Sequence, residues 1–408
     1  MPDTIDRKTI EYTYDDNGNI KTIKDVTANK TRSYIYDKRN QVTRENDPFL
    51  NKTILYTYDL GGNLTTIREY AYTTGNPGSV TRTINIAYGN AWKDQMTSFD
   101  GQAITYDACG NMLTRGTRTY TWAQGKQLAS VSNGHTIQYQ YDHNGLRIRK
   151  TVDGVVTDFR LAGSRILSRK EGSTVTYFSY DSAGQLIGMS AGSNRYFYVR
   201  NAQNDIIALI DENGTEVVRY EYDAWGNPIS TTGTLAGTIG KRNPFRYRGY
   251  YWDEETGMYY LESRYYDPEI RQFISADSVV ITSLAGTNLY MCCGNNPVNM
   301  TDPSGHFAIA VPLAIEFLYD LGMTIGFVTS RVYSYPGPLR KPPSRRTIPT
   351  TMTTGSGRRS PSAIPVPPTT MPSGVSRSGT GTKAPHPSTS PSAIIRVTGT
   401  TGASSRTR

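Results

Sequence analysis

Through the first 230 residues hydrophobic and polar side chains alternate in short runs, and no stretch there keeps a helical period. In "IQYQYD", Ile137, Tyr139 and Tyr141 fall on one face while Gln138 and Gln140 take the other, the period of two that a half-buried strand requires. Alternation resumes beyond the turn in "LRIRKTV". The unit then repeats. "YTYDDNGNI" (12–20), "YIYDKRNQV" (34–42) and "YTYDLGGNL" (56–64) set Asp15, Asp37 and Asp59 at 22-residue intervals. "TYDACGNML" (105–113), "YQYDHNGLR" (139–147), "FSYDSAGQL" (178–186) and "YEYDAWGNP" (220–228) follow at looser spacing, with a degenerate "FYVRNAQND" (197–205) before the last.

Each unit reads as strand, turn, strand. Asp142 accepts a hydrogen bond from the backbone two residues on, and Gly145 supplies the left-handed residue of a type I turn with a G1 bulge. The same spacing recurs at Asp15/Gly18, Asp59/Gly62, Asp107/Gly110, Asp181/Gly184 and Asp223/Gly226, with Asn40 in the glycine slot of the Asp37 unit. Their fixed place between Tyr and a turn makes these aspartates structural rather than metal-binding or catalytic. Such hairpins predict a long antiparallel sheet whose units need stacked neighbours to bury a face.

Tyrosine enrichment agrees: 28 of 30 tyrosines and all four tryptophans precede residue 321, as expected of pleated, half-buried surfaces. Charge divides at the same point. Residues 321–408 hold 12 Lys and Arg and no acid, leaving 32 basic against 35 acidic groups in the body, which therefore has no nucleic-acid or membrane bias. Cys109 and the adjacent Cys292–Cys293 pair give no disulfide framework, and the four histidines show no metal-ligand spacing. No cofactor is expected. The N-terminus carries no apolar run of the secretory kind, so this chain shows no signal peptide. "FAIAVPLAIEFLYDLGMTIGF" (307–327) is broken by Pro312, Glu316 and Asp320, which favours a buried or amphipathic helix and at most weak membrane contact.

The Tyr-Asp units, together with "NPFRYRGYYWDEETGMYYLESRYYDPEIRQFISADS" (243–278) and "NLYMCCGNNPVNMTDPSGH" (288–306), resemble the RHS/YD-repeat family and its RHS-associated core domain. The resemblance spans roughly residues 5–306. It implies an all-β fold in which antiparallel hairpins form a curved, spiralling sheet, a partial cocoon or shell closed at one end by the core block. It further implies a secreted or cell-surface protein of bacterial competition that holds a variable C-terminal polypeptide, usually a toxin. Read from the residues alone, 243–278 is two further hairpins, with "NPFRYRGYYW" and "MYYLESRYY" as continuous strands and "DPEI" as a Pro-containing turn.

In toxin-carrying relatives the core is an aspartyl autoprotease. The resemblance assigns catalysis to Asp277, Asp302 and Arg264. One carboxylate would activate water, the other protonate the leaving amide, and the guanidinium would stabilise the oxyanion. The family's cleavage pattern, Pro-x-x-x-x-Asp-Pro-x-Gly-Leu, is matched by Pro297, Asp302, Pro303 and Gly305, but His306 stands in place of leucine. Cleavage after His306 would release a fragment beginning at Phe307. Arg271 and Gln272 stand where the family usually has glycine and arginine.

The expected organisation is a repeat sheet over 5–242, a core domain over 243–306, an apolar segment over 307–333 and a disordered, basic Pro/Ser/Thr/Gly-rich tail over 334–408. The tail has no cluster for nuclease or deaminase chemistry; it reads as a linker, a toxin gene in a shifted frame, or an export segment. About 300 residues of strand make only a partial wrap, and the chain opens mid-repeat, so a missing N-terminal portion or a partner shell protein is expected. Three functions compete: a shell presenting its own C-terminal segment as cargo, a single-turnover protease acting near residue 306, and a surface adhesin whose exposed tyrosines bind sugars or proteins.

Overall fold

The computed structural model describes residues 9–278, 288–306, 308–310 and 395–398. Every strand from Thr9–Tyr14 to Pro228–Thr232 pairs antiparallel with the next along the chain. Ile395–Thr398 adds to the outer edge of the first strand, giving a sheet of 23 strands in all. First and last strands of the meander do not pair with each other, so the sheet is not closed. This is the long antiparallel sheet that the alternation predicts, in the all-β fold that the resemblance implies. The apolar segment and the basic tail lie outside the described residues, apart from residues 308–310 and the strand at 395–398.

One edge of the ribbon carries the Asp-x-x-Gly turns. Asp142 Oδ1 accepts the amides of Asn144 and Leu146, both at 2.9 Å, and Gly145 sits at φ +80. Asp15, Asp37, Asp59, Asp107 and Asp223 repeat the pattern, Asn201 extends it to a unit that lacks the Tyr-Asp pair, and Asp211 uses it once on the opposite edge. Each such turn ends in a bulge, as between Gln140 and Tyr141.

In five of the Tyr-Asp units the tyrosine does more than fill the core. Its hydroxyl donates to a backbone carbonyl of the preceding hairpin: Tyr36 to Ile20 at 2.7 Å, Tyr58 to Val42 at 2.7 Å, Tyr141 to Leu128 at 2.8 Å, Tyr180 to Ile166 at 2.9 Å and Tyr222 to Ile206 at 2.9 Å. A row of phenolic bonds thus staples hairpin to hairpin, which phenylalanine would not do.

The ribbon winds back on itself. Ala202 N–H donates to Tyr12 Oη at 3.2 Å, Arg32 meets Glu221 at 3.0 Å, and Ala224 N–H donates to Glu45 Oε1 at 3.1 Å. These contacts join the first repeats to the last through side chains rather than a backbone ladder.

The block after residue 243 packs across the buried face of the sheet, with Asp253 on Arg147 and Lys150, Tyr265 against Tyr139 and Tyr251 against Phe159, and meets the Asp-x-x-Gly edge where Asn227 Nδ2 donates to the Pro268 carbonyl. Its four short strands, Tyr251–Asp253, Met258–Leu261, Arg264–Asp267 and Gln272–Phe273, form one antiparallel sheet. This corrects the reading of two long hairpins. "NPFRYRGYYW" is broken at Arg248 (φ 54), whose amide and guanidinium both donate to Asp205, each at 2.9 Å. "MYYLESRYY" folds back at Glu262 (φ 57), so Leu261 pairs with Arg264. A tertiary contact decides the first break, and a two-residue hairpin turn makes the second.

Candidate functional site

The turn-rich stretch 288–302 lies along the repeat turns and engages them in order. Asn299 Oδ1 accepts the Ile20 amide at 2.6 Å, and its Nδ2 donates to Tyr36 Oη at 3.0 Å. Asn296 Nδ2 donates to Asn19 at 3.1 Å, Asn295 Nδ2 to the Gly62 carbonyl at 2.7 Å, and Asn288 Nδ2 to Asn63 at 2.7 Å. Three successive left-handed residues, Cys293, Gly294 and Asn295, bend the chain so that these amides reach their partners. Tyr247, Tyr259 and Tyr266 donate to the carbonyls of Ala224, Gly226 and Trp225 at 3.0, 2.8 and 2.9 Å, fastening the last repeat to the same block.

Within this plug the three expected catalytic residues come together. Arg264 opens a buried strand, Asp277 follows the Ser275 bridge to Asn111, and Asp302 follows the short strand Met300–Thr301. Arg264 Nη2 lies 2.8 Å from Asp277 Oδ2 and 3.6 Å from Asp302 Oδ2, so the two carboxylates flank one guanidinium nitrogen. Their side chains are 10% and 3% exposed, and that of Arg264 is 5% exposed. Nothing but a paired and hydrogen-bonded arrangement would make such burial affordable. Arg264 Nη1 donates to the Leu289 carbonyl at 3.1 Å, and the guanidinium stacks 3.7 Å from the centre of the Phe273 ring. Burial pulls the Arg264 pKa down, and the two carboxylates oppose it.

Backbone contacts fix the carboxylates. Asp277 N–H donates to the Leu289 carbonyl at 2.9 Å, and Asp302 N–H donates to Tyr250 Oη at 2.7 Å. Tyr250 in turn bonds Thr301 Oγ1 at 2.9 Å.

The cleavage-motif residues lie beside them. The Pro297 carbonyl accepts from Tyr247 Oη at 3.1 Å and from Arg248, while Pro303 is exposed on its turn. Gly305 has φ +77, and a Cβ there would lie 2.7 Å from both the Leu261 carbonyl and Ser263 Oγ. Its carbonyl accepts from Arg264 Nε. His306 N–H donates to Asp302 Oδ1 at 3.0 Å, and its Nδ1 lies 2.9 Å from Asp277 Oδ1. Phe307 is outside the described residues.

Sequence reasoning missed three neighbours. Ser263 Oγ donates to the Ser304 carbonyl at 2.6 Å, Lys126 donates to the Ala276 carbonyl beside Asp277, and Tyr250 carries Asp302. Burial, then the Arg264 charge, lowers the Lys126 pKa, and Asp277 opposes it. No sequence spacing links these residues to the pair; "SR" at 263–264 is the one local signal. Cys292 and Cys293 are buried with their sulfurs 3.5 Å apart, and burial holds the Cys292 thiol well above its ordinary pKa, which marks it as inert.

Comparison with known proteins returns the same architecture. The tRNA nuclease WapA of Bacillus subtilis (strain 168) is 37% identical over 273 residues, 62% of this chain but 12% of that protein. Double-stranded DNA deaminase toxin A of Burkholderia cenocepacia (strain H111) is 26% identical over 319 residues, 74% of this chain and 19% of that protein. The chain thus spans a small part of the length of these relatives. Among solved structures, TcdB2–TccC3–Cdc42 superposes with a TM-score of 0.58 at 20% identity, covering 73% of this chain and 17% of that chain. The Photorhabdus luminescens Tc holotoxin pore gives 0.57 at 20%, covering 72% and 16%; at these identities the shared property is the fold. The family model described as Teneurin YD-shell matches residues 3–298, most of the repeat sheet and its plug, and the chain therefore belongs to that YD-shell family.

Proposed function

We propose that the chain is the closing portion of a larger RHS-type shell that encloses and presents the polypeptide following residue 306, and that its plug cuts that polypeptide free once. The observation that carries this reading is the path of the chain at its exit. Residues 302–306 leave the plug against a buried guanidinium flanked by two carboxylates, with backbone bonds to both partners. A structural turn needs no buried Asp–Arg–Asp cluster, and burial of such charges costs several kcal/mol unless each is paired. The toxin relatives support the reading by kinship. The chain's short share of their length fits a wall that needs further repeats or a partner shell protein to close.

Packing weighs against the adhesin reading. The repeat tyrosines Tyr12, Tyr34, Tyr56, Tyr120, Tyr139 and Tyr220 are buried, whereas a sugar-binding face needs clustered exposed rings.

The experiment is expression of the full chain, followed by intact mass measurement and size-exclusion chromatography. A C-terminal fragment that forms in the wild type, is absent in Asp277→Asn and Asp302→Asn, and co-elutes with the shell supports the proposal. A chain that stays whole, or is cut equally in both variants, refutes it.

A further inference from the structure

We infer that the outer edge of Thr9–Tyr14 is a strand-addition site, and that Ile395–Thr398 is its built-in occupant, a guard that keeps foreign strands off the sheet. The inference stands apart from the self-cleavage reading, because it needs neither a cut chain nor the carboxylate pair.

The edge needs a cover. Within the meander Thr9–Tyr14 pairs on one side only, with Ile20–Asp25, so its other side offers amides and carbonyls to any extended chain. Devices that usually blunt such an edge are missing: "TIEYTY" has no proline and no lysine, and its one bulge, between Thr13 and Tyr14, lies at the far end. Tyr12 is fully buried and Ile10 packs against the core, so the strand cannot turn away from an incoming partner.

Ile395–Thr398 answers that edge residue by residue. The pairing is antiparallel, with Thr9 opposite Thr398, Ile10 opposite Val397, Glu11 opposite Arg396 and Tyr12 opposite Ile395. Apolar positions therefore stand opposite apolar ones, and the acid of the first strand stands opposite a base; pairs of both kinds stabilise a ladder. A slip of one residue would set Arg396 opposite Ile10 or Tyr12, so the register is specified. In its own surroundings the segment is an exception. Between Pro391 and Gly399, residues 394–398 read "IIRVT", four of the five β-branched, in a tail otherwise dense in Pro, Ser, Thr and Gly.

Guard and edge belong to one chain, so a separate strand must compete against a raised effective concentration. The partner that the edge fits once the guard is displaced is an extended segment of alternating β-branched and polar residues, with a basic residue opposite Glu11.

The test is hydrogen exchange of the full chain, read by mass spectrometry over Thr9–Tyr14, with light scattering for mass, in the wild type and in the double variant Arg396→Pro, Val397→Pro. Adjacent prolines remove one donor from each side of the strand, so the ladder suffers whichever side meets the edge. Slow exchange over Thr136–Tyr141 in both proteins checks that the sheet stays folded. The inference expects a monomeric wild type and a rise in exchange over Thr9–Tyr14 of about tenfold in the variant. A synthetic peptide of residues 393–400 should restore protection, and the same peptide with Arg396→Glu should restore less. Equal protection in both proteins at equal mass overturns the guard, as does a rise that the peptide fails to reverse. A wild type that is already a dimer with this edge protected in both proteins assigns the edge to a second copy and overturns it as well.

Discussion

Tyr58 illustrates what the repeated Tyr-Asp pair contributes at the scale of one residue. Its ring is partly buried on the inner face, and its hydroxyl donates to the Val42 carbonyl at 2.7 Å. Tyr58→Phe keeps the ring and deletes the bond, so it should cost about 1 kcal/mol in a urea melt. The turn glycines separate conformation from space. Gly18 (φ +81) has nothing within 4 Å of a would-be Cβ, whereas at Gly226 (φ +91) a Cβ would lie 2.6 Å from the Tyr247 ring. Gly18→Ala should therefore cost about 1–2 kcal/mol, the left-handed penalty alone. Gly226→Ala should cost distinctly more, because Tyr247 holds the plug; equal losses in parallel denaturation curves would contradict this. Arg271, which replaces the family's usual glycine, occupies φ 62 and is buried against Tyr56 and Trp225. The backbone there still has the shape that a glycine would favour.

At the scale of elements, the hairpins hold register at one edge and the plug reads that edge. Asn299 is the clearest joint, since it satisfies the buried Ile20 amide. Asn299→Ala should cost about 1–3 kcal/mol by leaving that donor unpaired. It should also raise amide exchange in the first two hairpins ahead of the last ones; uniform exchange across the sheet would speak against the joint. The Asp-x-x-Gly turns were legible because one side chain and one backbone angle specify them. The opposite edge was less so. It uses two-residue turns such as Asp100–Gly101 and Asp153–Gly154, left-handed at both positions, and Gly172–Ser173, left-handed at glycine alone. These dipeptides are too short to stand out from the strands they join. In the plug the strand breaks at Arg248 and Glu262 were illegible for another reason: neither residue favours positive φ, and at Arg248 a remote partner, Asp205, fixes the backbone.

For the whole molecule, the seam between first and last repeats is the decisive feature, and Glu45 sits in it. Burial, reinforced by Asp223 and Asp47, raises its pKa from 4.5 to about 8, while Tyr56 Oη donates to it at 2.8 Å. An acid whose pKa is higher folded than unfolded binds its proton more tightly in the folded state. Its contribution is therefore intact below pH 4.5 and is lost as pH rises through about 8. Glu45→Gln should flatten that fall when denaturation midpoints at about pH 5 and about pH 9 are compared. An unchanged slope would mean that the carboxyl is solvated. The candidate site was legible through the family resemblance, with Asp302 inside the cleavage pattern, whereas Arg264 and Asp277 lie in ordinary strand and turn sequence and their meeting depends on how the block after residue 243 packs. The seam was not legible at all, because Arg32 and Glu221 are 189 positions apart and each lies in an ordinary strand. A double-mutant cycle on Arg32→Ala and Glu221→Ala tests the winding of the ribbon most directly. The account predicts a coupling of about 1 kcal/mol between them; losses that simply add, within about 0.3 kcal/mol, would mean that the sheet does not return on itself.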